Sequence, residues 1–199
     1  MRLSNYIDEQ KVLDIEQHLR DRGLDPNKTN ILIDKESNIA VFLLYNLSGV
    51  LVGYQQYNPN GTKNKVFDKT IADKDMMKYY TYLGKENDEK KVKKIGVYGL
   101  HTYNRNSPVL FVVEGIFDAV KLHNLGLPAI ATLSNDPKPF GQWLKLLPQK
   151  IIIIMDNDSS GNKLAKFGDK SVKVPNPWKD LGEMTNDQVR DFLKRERLI

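Results

Sequence analysis

Carboxylates stand where the chain's most hydrophobic runs stop. Glu114 and Asp118 follow Val109–Val113, Asp156 and Asp158 follow Ile151–Met155, and Asp180 and Glu183 follow a third expected strand at 171–174 and the rigid segment Pro175-Asn176-Pro177-Trp178. Continuous Val/Ile/Leu runs read as parallel strands buried on both faces, and ligands in such sheets gather beyond the carboxyl ends of the strands. Acids delivered to that edge make a hard, oxygen-only cation site, which is the chemistry of magnesium and phosphate. Asp118 lies four residues after Glu114, so one helical turn is expected to bring it back towards that residue. The spacing of Asp156 and Asp158 puts both side chains on one side of an extended segment, while Gly115 and Gly161 permit sharp turns. A single Asp in such a place is ordinarily a turn or cap residue. A set of acids, each closing a hydrophobic strand, has a different meaning: crowded carboxylates repel, and a divalent cation relieves them. Two such ions would stabilise the attacking and leaving oxygens of a phosphoryl or nucleotidyl transfer.

The elements that must position these acids are legible in the pattern. From Ser107 onward strand and helix alternate: strand 109–113, helix 116–125, strand 128–132, helix 138–147, strand 150–155, a short helix 160–167, strand 171–174 and helix 185–196. Such alternation predicts a parallel sheet with right-handed crossovers. Upstream, Val12, Ile15 and Leu19 predict a helix over 4–22 that Gly23 and Pro26 end. Asn38–Tyr45 and Val50–Tyr57 flank the turn Asn46-Leu47-Ser48-Gly49 and predict a hairpin. The polar stretch from Asn58 to Lys94 carries one short strand near Tyr79–Leu83. The expected division is an α+β part at 1–105 and an α/β part at 106–199.

Composition narrows the class. The 199 residues are 40% hydrophobic and 28% charged, with net charge +5 and no cysteine. These values fit a folded protein and exclude disulfides and cysteine-ligated zinc. The charge excess is compatible with a polyanionic partner, although a solvated lysine-rich surface explains it as well. No apolar run is long enough for a membrane span and no export signal is present, so the expected location is cytoplasmic.

Two segments carry a family resemblance. Val112–Ala119 (VVEGIFDA) and Met155–Gly161 (MDNDSSG) resemble the two signature motifs of the toprim domain, shared by bacterial-type primases, topoisomerases and several nucleases. Gly49–Asn58 (GVLVGYQQYN), Lys78–Lys85 (KYYTYLGK) and Gly96–Leu100 (GVYGL) are similar, in order, to segments of the primase catalytic core. The resemblance implies an α/β toprim fold, a Rossmann-like parallel sheet flanked by helices, preceded by a smaller α+β subdomain with antiparallel strands. It implies Glu114 as an acid or base near the metals, Asp156 and Asp158 as metal ligands, and Asp180 as a further metal-site acid. Asp118 matches a position of metal binding or structural support, and Lys78, with Lys65 and Lys85, would face nucleic acid or nucleotide. The implied cofactor is Mg2+, with Mn2+ as a substitute. The implied partners are single-stranded DNA, nucleoside triphosphates and a separate replicative helicase, and no membrane.

Departures from the family pattern set the rivals. Gln55-Gln56 stand where primases usually carry arginine, and Gly182 replaces an asparagine frequent in related primase-helicases. No P-loop is present. The compact, lysine-rich, cysteine-free chain resembles phage or mobile-element proteins. The expected function is primer synthesis by metal-dependent nucleotidyl transfer. The alternatives are a toprim nuclease using the same acids and a non-catalytic nucleic-acid-binding protein. His18, His101 and His123 are scattered along the sequence and read as surface or packing residues. Ser134-Asn135-Asp136 reads as a helix cap rather than a phosphate site. Alternation at Tyr79, Tyr80 and Tyr82 puts one tyrosine in the core and leaves the others on the surface, where base stacking is the less favoured role.

Overall fold

The structure, a computed structural model, describes residues 14–62, 76–84, 95–134, 138–158 and 162–199. Lys65, Lys85, residues 4–13 of the expected first helix, Asn135-Asp136 and Gly161 lie outside the described residues. Helix α1 (Ile15–Asp21) leads into an antiparallel sheet of β1 (Ile31–Asp34), β2 (Ile39–Tyr45), β3 (Leu51–Tyr57) and β4 (Tyr79–Leu83), paired in that order. The second sheet is parallel. It contains β5 (Val109–Val113), β6 (Ala129–Ala131), β7 (Lys150–Met155) and β8 (Lys170–Lys173) in the order β6-β5-β7-β8. Helices α2 (Ile116–His123), α3 (Lys138–Leu144), α4 (Asn162–Ala165) and α5 (Asn186–Arg195) complete it. Among the described residues no helix is long and apolar enough to cross a membrane.

Side-chain alternation on the parallel strands explains their unbroken apolar sequence. Phe111, Val113, Ile152 and Ile154 join one buried cluster with residues of α1, α2, α5 and the antiparallel sheet. Leu110, Val112, Ile151 and Ile153 join a second cluster with Phe140, Leu144 and Leu164 on the other face. With both faces covered, β5 and the interior of β7 stay apolar until they end, while the edge strand β8 carries polar residues.

The two sheets are stitched together by the residues between them. Val97 forms an antiparallel bridge with Tyr45 at the end of β2, and Tyr98 forms another with Ala131 on β6. Gly99 follows at φ 89°, and a Cβ there would stand 2.3 Å from the Ala129 carbonyl. Only glycine fits both the left-handed backbone and that approach. The segment similar to a primase element is therefore a clasp between the halves.

The hairpin of β2 and β3, the strand at 79–83 and all four parallel strands fall where the pattern placed them, within a residue or so at each end. Strand β1 was not expected; its four residues, Ile-Leu-Ile-Asp, are too short to show a period. The helices of the parallel half are shorter than predicted, since α2 stops at His123 and α3 at Leu144. The tyrosines alternate between faces, Tyr79 against Tyr57 (ring centroids 5.2 Å) and Tyr80 and Tyr82 beside Tyr54. None enters the core as expected: Tyr79 and Tyr82 are exposed and Tyr80 is half-buried, because β4 is the edge strand of its sheet.

Candidate metal centre

Strand β5 ends at Val113, and the chain turns through Glu114 and Gly115 before α2 begins at Ile116. Asp118, the third residue of α2, is 5% exposed. Its Oδ2 accepts the Gly115 amide (3.1 Å) and its Oδ1 accepts the Gly182 amide (2.9 Å). A Cβ at Gly115 would come within 2.6 Å of that Oδ2, so the return bond requires glycine. The sequence predicted that Asp118 would turn back towards Glu114; its carboxylate turns back onto the amide of the adjacent Gly115 and is held from the other side by Gly182.

The loop after β7 carries Asp156 and Asp158, and the loop after β8 carries Asp180. The Asp180 carboxylate accepts the Glu183 amide (3.1 Å) and caps the single 3-10 turn Leu181–Glu183, whose Gly182 amide is the one bound by Asp118. Acids from three strand ends thereby meet one field. Burial, then the charges of Asp180, Glu114 and Asp158, push the Asp156 carboxyl up to about 7. Burial and Asp158 also raise Glu114, with Lys179 opposing. Asp180 is raised by burial and by Glu183, against the pull of Arg22 and Lys179. At Asp118 the two amides favour the charged form, but burial, Asp180 and Asp156 outweigh them and raise its carboxyl to about 8.

These acids repel one another without closing into a cage: among the described residues no three His, Asp or Glu side chains are arranged to hold a metal ion. The donor set is all carboxylate, and Glu114, Asp156 and Asp180 are each penalised for their charge. That fits a hard divalent cation taking one or two protein oxygens with water and substrate oxygens, and it does not fit a closed structural site.

Sequence reasoning missed Arg22. Its guanidinium lies 3.6 Å over the centre of the Phe117 ring and 5.9 Å from that of Tyr57, and Nη1 donates to the Tyr57 and Tyr79 hydroxyls at 3.5 Å. A Cβ at Gly182 would stand 2.9 Å from Arg22 Nη2 and 3.1 Å from Asp180 Oδ1, so the cation and the acid flank the same point. No local signal marks it, because its partners come from β3, β4 and α2. Burial and then Arg22 push the His18 imidazole towards its neutral form, and Lys78, half-buried just before β4, adds to them. Gln55 and Gln56 are buried, Gln55 donating to Thr81 Oγ1 (2.9 Å). His101 and His123, apart in sequence, meet with ring centroids 5.5 Å apart beside Tyr98, away from the acids.

Residues 111–178 match the family model described as Toprim-like. Among solved structures, the Aquifex aeolicus primase (zinc-binding and RNA polymerase domains) superposes with TM-score 0.58 at 18% identity, covering 92% of this chain and 54% of that one. The DnaG primase catalytic domain bound to ssDNA gives TM-score 0.52 at 18% identity, covering 92% and 59%. The primase fragment of the bacteriophage T7 primase-helicase protein gives 0.53 at 16% identity, covering 88% and 77%. The chain thus spans little more than half the length of the first two. No curated protein sequence matches it. Residues 111–178 form a toprim-like domain, and the chain carries the fold of the catalytic core of bacterial and phage primases.

Proposed function

We propose that this chain is a primase-type nucleotidyltransferase that joins nucleotides into short oligonucleotides on single-stranded DNA with Mg2+, or Mn2+ in its place. The observation that carries the reading is the meeting of acids from the ends of β5, β7 and β8 around Asp156, on which Asp180, Glu114 and Asp158 all act. Asp156, Asp158 and Asp180 are the residues that would hold the cation. When bound, it supplies charge neutralisation for phosphate oxygens and for the attacking hydroxyl. Glu114, half-buried and raised towards neutrality, can hold or release a proton at its carboxylate beside the reacting groups. Asp118 acts as support, since both its oxygens are occupied by backbone amides.

Template DNA is expected on the side of the acids where Arg22, Lys78 and Lys179 supply positive charge. The ssDNA-bound primase domain supports that partner, and the T7 primase-helicase supports a helicase that works alongside. The test is incubation of the chain with single-stranded DNA, labelled ribonucleotides and Mg2+ or Mn2+. Template-dependent oligonucleotides that vanish in Asp156→Ala are expected. Degradation of the template would establish the toprim nuclease instead, and neither activity together with no divalent-metal binding would overturn the enzyme reading.

A further inference from the structure

Asn157, between two of the acids, spends its hydrogen bonds on the neighbouring loop. Its amide donates to the Lys179 carbonyl (2.6 Å), and its Nδ2 donates to Asn176 Oδ1 (2.6 Å) and to the Trp178 carbonyl (3.3 Å). The β7–β8 ladder has its last register pair at Met155 and Lys173, and its final bond runs from the Val174 amide to the Met155 carbonyl. Beyond that point nothing in sheet geometry fixes the separation of the two loops. Yet Asp156 and Asp158 lie on one and Asp180 on the other. Lys179, the residue before Asp180, is held from both sides: its carbonyl accepts Asn157, and its amide donates to Glu183 Oε2 (2.8 Å). Asp180 itself is fixed by the Glu183 amide (3.1 Å).

We infer that Asn157 is a positioning residue that sets the distance between the Asp156–Asp158 loop and Asp180, so that carboxylates from both loops reach one cation. The inference rests on the metal-site reading above. It assigns to the middle residue of the Asp-Asn-Asp triplet a role that needs a side chain with an amide donor. Asp at this position would face the Asn176 oxygen with an acceptor, and Ala would leave that oxygen and the Trp178 carbonyl without this donor.

The experiment titrates the full chain with Mn2+ alone by calorimetry, using wild type, Asn157→Ala, Asn176→Ala and Asn176→Asp. Asn157→Ala keeps the backbone bond to Lys179, so its fold is followed by circular dichroism and by the thermal midpoint in EDTA. Residues that orient metal ligands without touching the metal typically change affinity by about 10- to 100-fold. A loss of that size is expected in Asn157→Ala and, more weakly, in Asn176→Ala, with binding retained in Asn176→Asp, which keeps the acceptor oxygen. Should Asn157→Ala fail to fold, Asn176→Ala, altered on the other loop, carries the test. Wild-type Mn2+ binding with equal affinity in Asn157→Ala and Asn176→Ala overturns the inference alone. So does a lowered midpoint with unchanged affinity, which is what a merely structural bond would give. Absence of binding by wild type overturns the metal-site reading and the inference with it.

Discussion

Asp118 and Gly182 lie 64 residues apart and are joined by a 2.9 Å bond from the glycine amide to the aspartate Oδ1. The same carboxylate binds the Gly115 amide, so one buried side chain fastens the start of α2 to the turn that carries Asp180. Asp118→Ala strands both amides. Each buried donor left unsatisfied costs about 1–3 kcal/mol, partly offset by relief of repulsion with Asp180 and Asp156. A net loss of about 1–2 kcal/mol is expected in urea unfolding, with Asp118→Asn, which keeps one acceptor, losing less.

The raised carboxyls make metal-free stability depend on pH in an unusual direction. Asp156 (about 7) and Asp118 (about 8) bind protons more tightly when folded than at the ordinary value of 3.8. Between those limits the folded state carries more protons than the unfolded one, so stability falls as pH rises from about 4 to about 8. In EDTA the thermal midpoint is expected to drop across that window from this source. Mg2+ at pH 8 is expected to restore it, and Asp156→Asn is expected to flatten the slope and remove the Mg2+ effect.

His123 works in the opposite sense. Its imidazole is pushed down to about 4, chiefly by burial, and its Nε2 lies 3.0 Å from the Ala129 carbonyl. The neutral ring is favoured by the fold, so its contribution is full above pH 6.5 and is lost as pH falls towards 4. The loss is up to about 3 kcal/mol before its residual exposure is discounted. His18 and His101, also pushed towards the neutral form by burial, share the loss between pH 7 and pH 5, so the part due to His123 is the part that His123→Gln is expected to remove in urea unfolding at the two pH values.

Arg22 offers a test of the junction between the halves. Its planar guanidinium stacks on Phe117 and neighbours Asp180. Arg22→Met removes a cation–ring contact worth about 1–2 kcal/mol in a desolvated setting. The deficit is expected to be larger at pH 8 than at pH 5, because the Asp180 carboxyl, raised by burial and Glu183, ionises more fully as pH rises. Arg22→Lys is expected to recover little, because a lysine lacks the flat face that lies on the ring. Denaturant melts at the two pH values in EDTA decide it.

Much of the parallel half was legible because burial on both faces forces apolar runs, and an acid at the end of such a run is conspicuous. Glu114, Asp156, Asp158 and Asp180 were found that way, and the electrostatics bring them into one neighbourhood. What escaped depends on contacts with no local period. Arg22 is meaningful only beside Phe117 and the tyrosines of β3 and β4, and the bonds of Asn157 are made to residues beyond another strand. The bond of Asp118 to Gly182, 64 residues away, likewise has no local signal.

The clasp at Val97 and Tyr98 has a consequence for motion. A two-residue segment hydrogen-bonded to β2 on one side and to β6 on the other leaves no free hinge there. A common core, in which Phe42 and Tyr57 of the antiparallel sheet touch Phe117 of α2, removes any slip plane. The halves are therefore expected to unfold as one cooperative unit, giving a single transition in a calorimetric melt. The antiparallel half is thus fixed against the helix that carries Asp118 by packing, not by a swinging joint.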